Sequence, residues 1–200
     1  ITLTQNAQGL VRIEQDSALV LEGNHPAIIG GTLTTSGNGV IAPNSTTARL
    51  EDLTLAAGAN VQVPCSRELT LVGSINNRGT ITLDNSGCGP NYATLRGSGA
   101  TTLTQAGEVR LRADGPSINV TLDGGAGPLT LGASQVLSGS RRIGGNVRVD
   151  GVLAPDQPYV PAGAVGVFSV NAGATLTLSN SAAILRHGDP VVDVEHVGHV

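Results

Sequence analysis

A short apolar–threonine–apolar phrase returns along this chain and constrains its fold more than any other feature. It reads Leu53-Thr54-Leu55, Leu69-Thr70-Leu71, Ile81-Thr82-Leu83, Leu129-Thr130-Leu131 and Leu176-Thr177-Leu178. Looser copies stand at Ile1-Thr2-Leu3 and Val147-Arg148-Val149. Each copy is a brief alternation bounded by Gly, Asn, Asp or Ser, too short for a helix and suited to a short β-strand. A supersecondary phrase repeated in this way buries its apolar side by stacking on its neighbours. The expected fold is therefore all-β and solenoidal.

Composition agrees with a narrow aliphatic lumen. Hydrophobic residues make up 40% of the 200 residues, but aromatics only 2%: Tyr92, Tyr159 and Phe168. Globular cores lean on aromatics for buried area, whereas stacked Leu, Ile, Val and Ala can fill a solenoid. The 28 glycines lack a collagen period, and sparse charge with many β-branched residues argues against disorder.

Charge excludes one large class of partner. The net charge is -4, and all eleven basic residues are Arg, with Arg141-Arg142 the one adjacent pair. Without a basic stripe or stacking aromatics, no nucleic-acid partner is expected. No apolar run approaches the ~20 residues that span a bilayer, so the chain is not expected to be membrane-spanning itself. It opens at Ile1 and contains no Met, and so reads as a fragment or processed segment.

The rhythm is cleanest between Arg49 and Leu83, with strand centres at 54, 62, 70 and 82, three steps making one coil of a three-sided helix. Gly58, Asn60, Gly73, Asn76, Asn77 and Gly79 are expected in the turns, because they tolerate left-handed backbone. Residues 84–100 read as a looser protruding loop, and a Pro-bearing stretch from Pro155 to Pro161 as a second. The repeat region is expected to cover 1–185, with 186–200 a linker or the start of a further element. Cys65 and Cys88, 23 positions apart, can stack on successive coils at a separation a disulfide accepts. Two reduced, buried thiols are the other reading.

From Gly124 onward the residues become specific. Leu129-Thr130-Leu131-Gly132, Leu137-Ser138-Gly139-Ser140, Ile143-Gly144-Gly145-Asn146-Val147 and Gly151-Val152-Leu153-Ala154-Pro155 follow in order, then Val165-Gly166-Val167-Phe168-Ser169-Val170. The series resembles the β-helix repeat of autotransporter passengers and filamentous-haemagglutinin-like bacterial exoproteins, with Asp156 where that family has Gly. The match covers about 55 residues, to Leu178; the remainder agrees in rhythm alone. The resemblance implies a right-handed parallel β-helix (β-solenoid), a single elongated domain that is secreted or displayed on the bacterial outer-membrane surface. It implies a structural or adhesive role, as adhesin stalk or passenger. The implied partners are host or neighbouring-cell surface molecules or extracellular glycans, and an outer-membrane translocator would lie outside this chain. The loops 84–92 and 155–163, with Asn91, Tyr92, Asp156 and Tyr159, are the expected partner-binding positions.

The alternative is a carbohydrate-active β-helix enzyme, a polysaccharide lyase or hydrolase. Glycoside hydrolysis needs two converging carboxylates, whereas Glu51, Asp52, Asp84, Asp114, Asp123 and Asp150 read as single turn residues. No enzyme activity, catalytic residue, cofactor or metal is therefore expected. The phrase Asp123-Gly124-Gly125-Ala126-Gly127-Pro128-Leu129 has Pro128 where a calcium-binding nonapeptide needs its Asp, and reads as a Gly-rich turn. His196 and His199, near Asp193 and Glu195, read as a solvated tail rather than a metal site. The Thr32/Thr34, Thr80/Thr82 and Thr175/Thr177 pairs are too irregular for an ice-binding array and read as outward strand residues.

Overall fold

The computed structural model of the chain describes residues 1–85, 92–112, 119–139, 141–155, 168–170, 172–173, 175–178 and 183–184. Among these residues there is no helix, and the strands form a 12-stranded and an 8-stranded sheet. The strand pairings are parallel, so each strand meets a later passage of the chain rather than the next strand in sequence. Parallel pairing requires a long connection, here supplied by the chain visiting three ladders in turn.

The first passage contributes Thr2–Thr4, Leu10–Ile13 and Ala18–Leu21 to the three ladders, and the second contributes Ala27–Ile29, Thr32–Thr35 and Val40–Pro43. The third contributes Ala48–Glu51, Thr54–Leu55 and Asn60–Pro64. Thereafter one long strand serves the first two ladders: Arg67–Asn77, Tyr92–Thr104, Asn119–Leu131 and Arg141–Val149. These long strands fuse two ladders into the larger sheet. The third ladder continues through Thr80–Asp84, Glu108–Arg112, Val136–Gly139 and Val152–Pro155. The return step is 22 residues from Thr54 to Asn76 and 28 from Asn76 to Thr104.

Alternation explains the core. On a strand, every second side chain points to one face, and the register superposes these positions passage on passage. In the first ladder Ala48, Leu69, Leu95, Leu122 and Ile143 align. In the second, Ile75, Leu103, Leu131 and Val149 align. Ile41, Val61, Ile81, Val109, Leu137 and Leu153 form the third column. All are buried and belong to one continuous cluster. Burying each of the larger aliphatics contributes roughly 1.5–3 kcal/mol, which is why a core almost free of aromatics suffices.

One corner of this apolar interior is polar. Between the second and third ladders, Ala59, Gly79, Gly107, Gln135 and Gly151 occupy equivalent places. The next strand's amide donates to each carbonyl from the passage above: Thr80 to Ala59, Glu108 to Gly79, Val136 to Gly107 and Val152 to Gln135. A Cβ on Gly107 would run into the side-chain amide of Asn77, so Gly107 leaves the space that this amide fills. From the following passage Gln135 donates through Nε2 to the Asn77, Thr104 and Gln105 carbonyls at 2.9, 2.9 and 2.7 Å. Its Oε1 accepts from Asn77 Nδ2 at 2.9 Å. Asn77 and Gln135 are both fully buried, and Asn77 Oδ1 also accepts the Gly79 amide at 3.1 Å. Two N–H groups thus serve three carbonyls, and a buried polar pair clamps three successive passages.

Three expectations need correction. Gly58 and Gly73 have positive φ, but Asn60, Asn76 and Asn77 lie within strands and Gly79 is not left-handed. The strand centred on 70 is not followed directly by the one at 82, because Arg67–Asn77 runs on into the second ladder. Residues 92–100 are not loop but the first part of the Tyr92–Thr104 strand. Their glycines allow the strand to bend between ladders, with the register to the next passage shifting between Arg96 and Thr101. Gly99 has φ +71, a backbone conformation that costs glycine little.

Replacing Gln135 by Leu tests the polar clamp. The loss leaves Asn77 Nδ2 with only its 3.5 Å hydrogen bond to the Glu108 carbonyl and removes the donor to three carbonyls, at about 1–3 kcal/mol per buried unsatisfied group. Gln135→Leu should lower unfolding free energy in urea by about 2–4 kcal/mol, whereas Thr130→Ser on the outer surface should stay within about 0.5 kcal/mol. Equal midpoints for the two variants would mean that the clamp contributes nothing.

Candidate functional site

Connections between the ladders are not equally distributed. The first-to-second and second-to-third corners take no connection longer than that from Thr4 to Leu10. The corner from third ladder to first carries the described connections 22–26, 44–47 and 65–66, and the later spans from third ladder to first lie largely or wholly outside the described residues. Counted along the sequence, the span at this edge varies most, from one residue between Gly139 and Arg141 to twelve between Pro155 and Phe168, while the bends inside the long strands shift register by a few residues. Loops held on a rigid scaffold are where recognition residues concentrate. This edge is the candidate site.

Its described border is rich in fixed polar side chains. Arg67 donates to Asn44 Oδ1 through Nε at 3.1 Å and Nη2 at 2.8 Å, and to the Ser66 carbonyl through Nη1 at 3.0 Å. Ser66, at φ +61, donates its backbone amide to the Tyr92 carbonyl. Asp84 and Arg112 end adjacent strands of the third ladder and form an ion pair at 3.7 Å. Arg141 is only 8% exposed and pairs in register with Phe168.

On the outer surface of the first ladder, three charges from successive passages form a line. Arg96 Nη2 lies 3.4 Å from Glu68 Oε2, and Arg96 Nε 3.2 Å from Asp123 Oδ2. Asp123 Oδ1 in turn accepts the Gly125 amide at 2.8 Å. Burial raises the Glu68 carboxyl above its ordinary value; Arg96 pulls it back down, and Asp123 adds a further push upward. The arrangement can hold a proton on Glu68 more readily than an exposed glutamate would. Asp123 and Asp84 each have an arginine partner on a neighbouring strand.

The expected site residues distribute as follows. Tyr92 opens its strand at the variable edge, 43% exposed and in register with Asn119. Asn91, Asp156 and Tyr159 lie outside the described residues, as do Cys88, Asp114 and the tail with Asp193, Glu195, His196 and His199. Cys65 stands at the same edge and is disulfide-bonded; the chain's other cysteine is Cys88. Glu51, Asp84 and Asp123 are strand residues, each in an ion pair, rather than single turn residues. Asp123 to Gly127 lie within the Asn119–Leu131 strand. Thr32/Thr34 and Thr175/Thr177 fall on the second ladder and Thr80/Thr82 on the third. Among the described residues no group of three or more His, Cys, Asp or Glu is placed to hold a metal ion, and no helix is long and apolar enough to cross a membrane. Glu68 carries no motif, and nothing in its sequence surroundings marks it.

No protein-family model, curated protein or solved structure matches this chain.

Two outcomes follow from this geometry. Because the folded Glu68 binds its proton more tightly than the unfolded one, its contribution to stability is complete below its ordinary value. That contribution is lost as pH rises through the raised folded value. Glu68→Gln should therefore flatten the change in chemical-denaturation midpoint between mildly acidic and neutral pH; an unchanged slope would refute the assignment. For the cysteines, we propose Cys65–Cys88 pairing. Peptide mapping without reductant should recover the two in one cross-linked species, and Cys65→Ser should cost about 3 kcal/mol. Recovery of a Cys88 peptide bearing a free thiol would exclude that pairing.

Proposed function

We propose that the chain is a right-handed parallel β-helix, a single elongated domain forming part of a secreted or surface-displayed bacterial protein. In this reading it acts as an adhesin stalk or passenger of the autotransporter or haemagglutinin-like kind. The observation that carries the proposal is a set of three registered parallel ladders whose strand-to-strand spans differ most in length between the third ladder and the first. A right-handed crossover is the favoured hand for parallel strands. Coil-on-coil hydrogen bonding and continuous aliphatic columns supply stiffness, and the variable edge supplies recognition by contact, without a catalytic step. The partners in this reading are host or neighbouring-cell surface molecules or extracellular glycans, engaged by the 84–92 and 155–163 segments.

One observation favours a second reading, a polysaccharide-active β-helix: Glu68 and Asp123 flank Arg96 on one outer face. A Glu68 carboxyl raised above its ordinary value by burial, with a second carboxyl at Asp123 on the same face, is the kind of pair that glycoside hydrolysis uses. Arg96 stands between them as a partner of both, which favours a structural charge ladder over an open catalytic pair.

A binding assay separates the two. The fluorescently labelled chain should bind intact cells or an extracellular-glycan array, and exchanging segment 156–163 for a Gly/Ser linker should lower the signal by about tenfold, a typical hot-spot loss. Undiminished binding by the exchanged chain would remove that segment from the site. Cleavage of any polysaccharide in a panel, lost in Glu68→Gln, would replace the adhesive reading with the enzymatic one.

A further inference from the structure

The variable edge also carries an Asn-Ser-Thr triplet, Asn44-Ser45-Thr46, in the connection between Pro43 and Ala48. The chain contains a second triplet of the same N-x-Ser/Thr form, Asn119-Val120-Thr121. This pattern is the acceptor motif for N-linked sugars, and a transferase must reach both the asparagine amide nitrogen and the hydroxyl two residues on. The two triplets are built very differently.

Asn44 and Thr46 are both exposed in a corner turn. The guanidinium of Arg67 grips Asn44 Oδ1 through two N–H groups, at 3.1 and 2.8 Å. Because a guanidinium only donates, this contact fixes which end of the amide is oxygen and leaves Nδ2 on the other side. Among the described residues Nδ2 makes no hydrogen bond. Neighbouring hydroxyls are occupied: Ser45 Oγ and Thr47 Oγ1 bond each other at 2.9 Å, and Thr47 Oγ1 also accepts the His25 amide at 3.1 Å. Thr46 Oγ1, between them, is bonded to nothing among the described residues. The two groups that recognition requires are thus the two left available. Asn119, by contrast, is half-buried and takes part in an interaction of its own. It sits in a strand in register with Tyr92, while Thr121 pairs with Thr94 on one side and Arg142 on the other.

We propose that Asn44 is an acceptor site for an N-linked sugar on the folded protein, and that Asn119 is not. The donor would be a nucleotide-activated hexose, used by a separate N-glycosyltransferase. In the transfer, the bond between the sugar C1 and the diphosphate oxygen breaks and the nucleoside diphosphate leaves with the electron pair. A bond forms from C1 to Asn44 Nδ2, which gives one proton to a base of the transferase. The sugar would cover the corner between the second and third passages beside Arg67. This assignment rests on the exposed corner and does not depend on the adhesive reading.

The test uses the folded chain, a soluble nucleotide-sugar-dependent N-glycosyltransferase and its nucleotide-hexose, read by intact mass and peptide mapping. The expected result is one hexose, on Asn44, absent from Thr46→Ala. Circular dichroism should show Thr46→Ala to be folded, since Thr46 is exposed. Asn119 should stay unmodified in the folded chain but accept hexose in the proteolytic peptide that carries it. An unmodified Asn44, transfer that survives Thr46→Ala, or equal modification of Asn44 and Asn119 in the folded chain would each overturn the proposal.

Discussion

Side chains on a strand alternate with period two, so a one-residue slip between neighbouring strands would turn every core residue outward. In this molecule the constraint acts through a long series of parallel pairings. Leu69 must meet Ala48 on one side and Leu95 on the other, and Leu95 must then meet Leu122. The chain has freedom in how far it travels between these meetings but none in where it lands. That is why return steps of 22 and 28 residues coexist with unbroken apolar columns. Most of the extra length falls between the third ladder and the first, and the bends within the long strands take up the rest as register shifts.

Aliphatic columns alone exclude a one-residue slip but discriminate poorly against a two-residue one, since Leu on Leu and Leu on Ile pack about equally well. A polar pair inside the core is more selective, because a misplaced donor stays unsatisfied in a low-dielectric setting. Asn77 and Gln135 are 58 residues apart and meet only if Gly107 lies between their passages. Each alternative alignment would bury an amide without partners or press a Cβ into one. The pair thereby distinguishes the native register from slips that the aliphatic columns would tolerate.

The parts of the fold legible in the sequence are those set by local alternation. Leu53-Thr54-Leu55 and Ile81-Thr82-Leu83 announce strands because their periodicity is local and their faces differ sharply in polarity. The run from Tyr92 to Ala100 was not legible as strand: Gly97 and Gly99 signal a loop, and only the neighbouring strands show that they mark a bend. Asn77 likewise looks like a turn residue until Gln135 arrives from two passages later. The Glu68–Arg96–Asp123 line is invisible for the same reason, since its members stand far apart in sequence and each alone is an ordinary surface charge. What long-range register assembles, short-range pattern cannot display.

The same separation bears on function. Surface charges on the ladders are largely spent on one another, within a strand in Arg49–Glu51 and Arg110–Glu108 and across neighbouring strands in Arg96–Asp123. Such exposed pairs contribute little stability individually, but they leave the flat faces with few uncommitted charges. The variable edge is different in kind. There Arg67 is directed at an amide rather than a carboxylate, Ser66 adopts a left-handed backbone, and successive connections change length from passage to passage. A ladder in fixed register can accept a new connection at this edge without moving a core side chain. Chemistry added there, whether a binding loop or a sugar on Asn44, therefore leaves the aliphatic columns untouched.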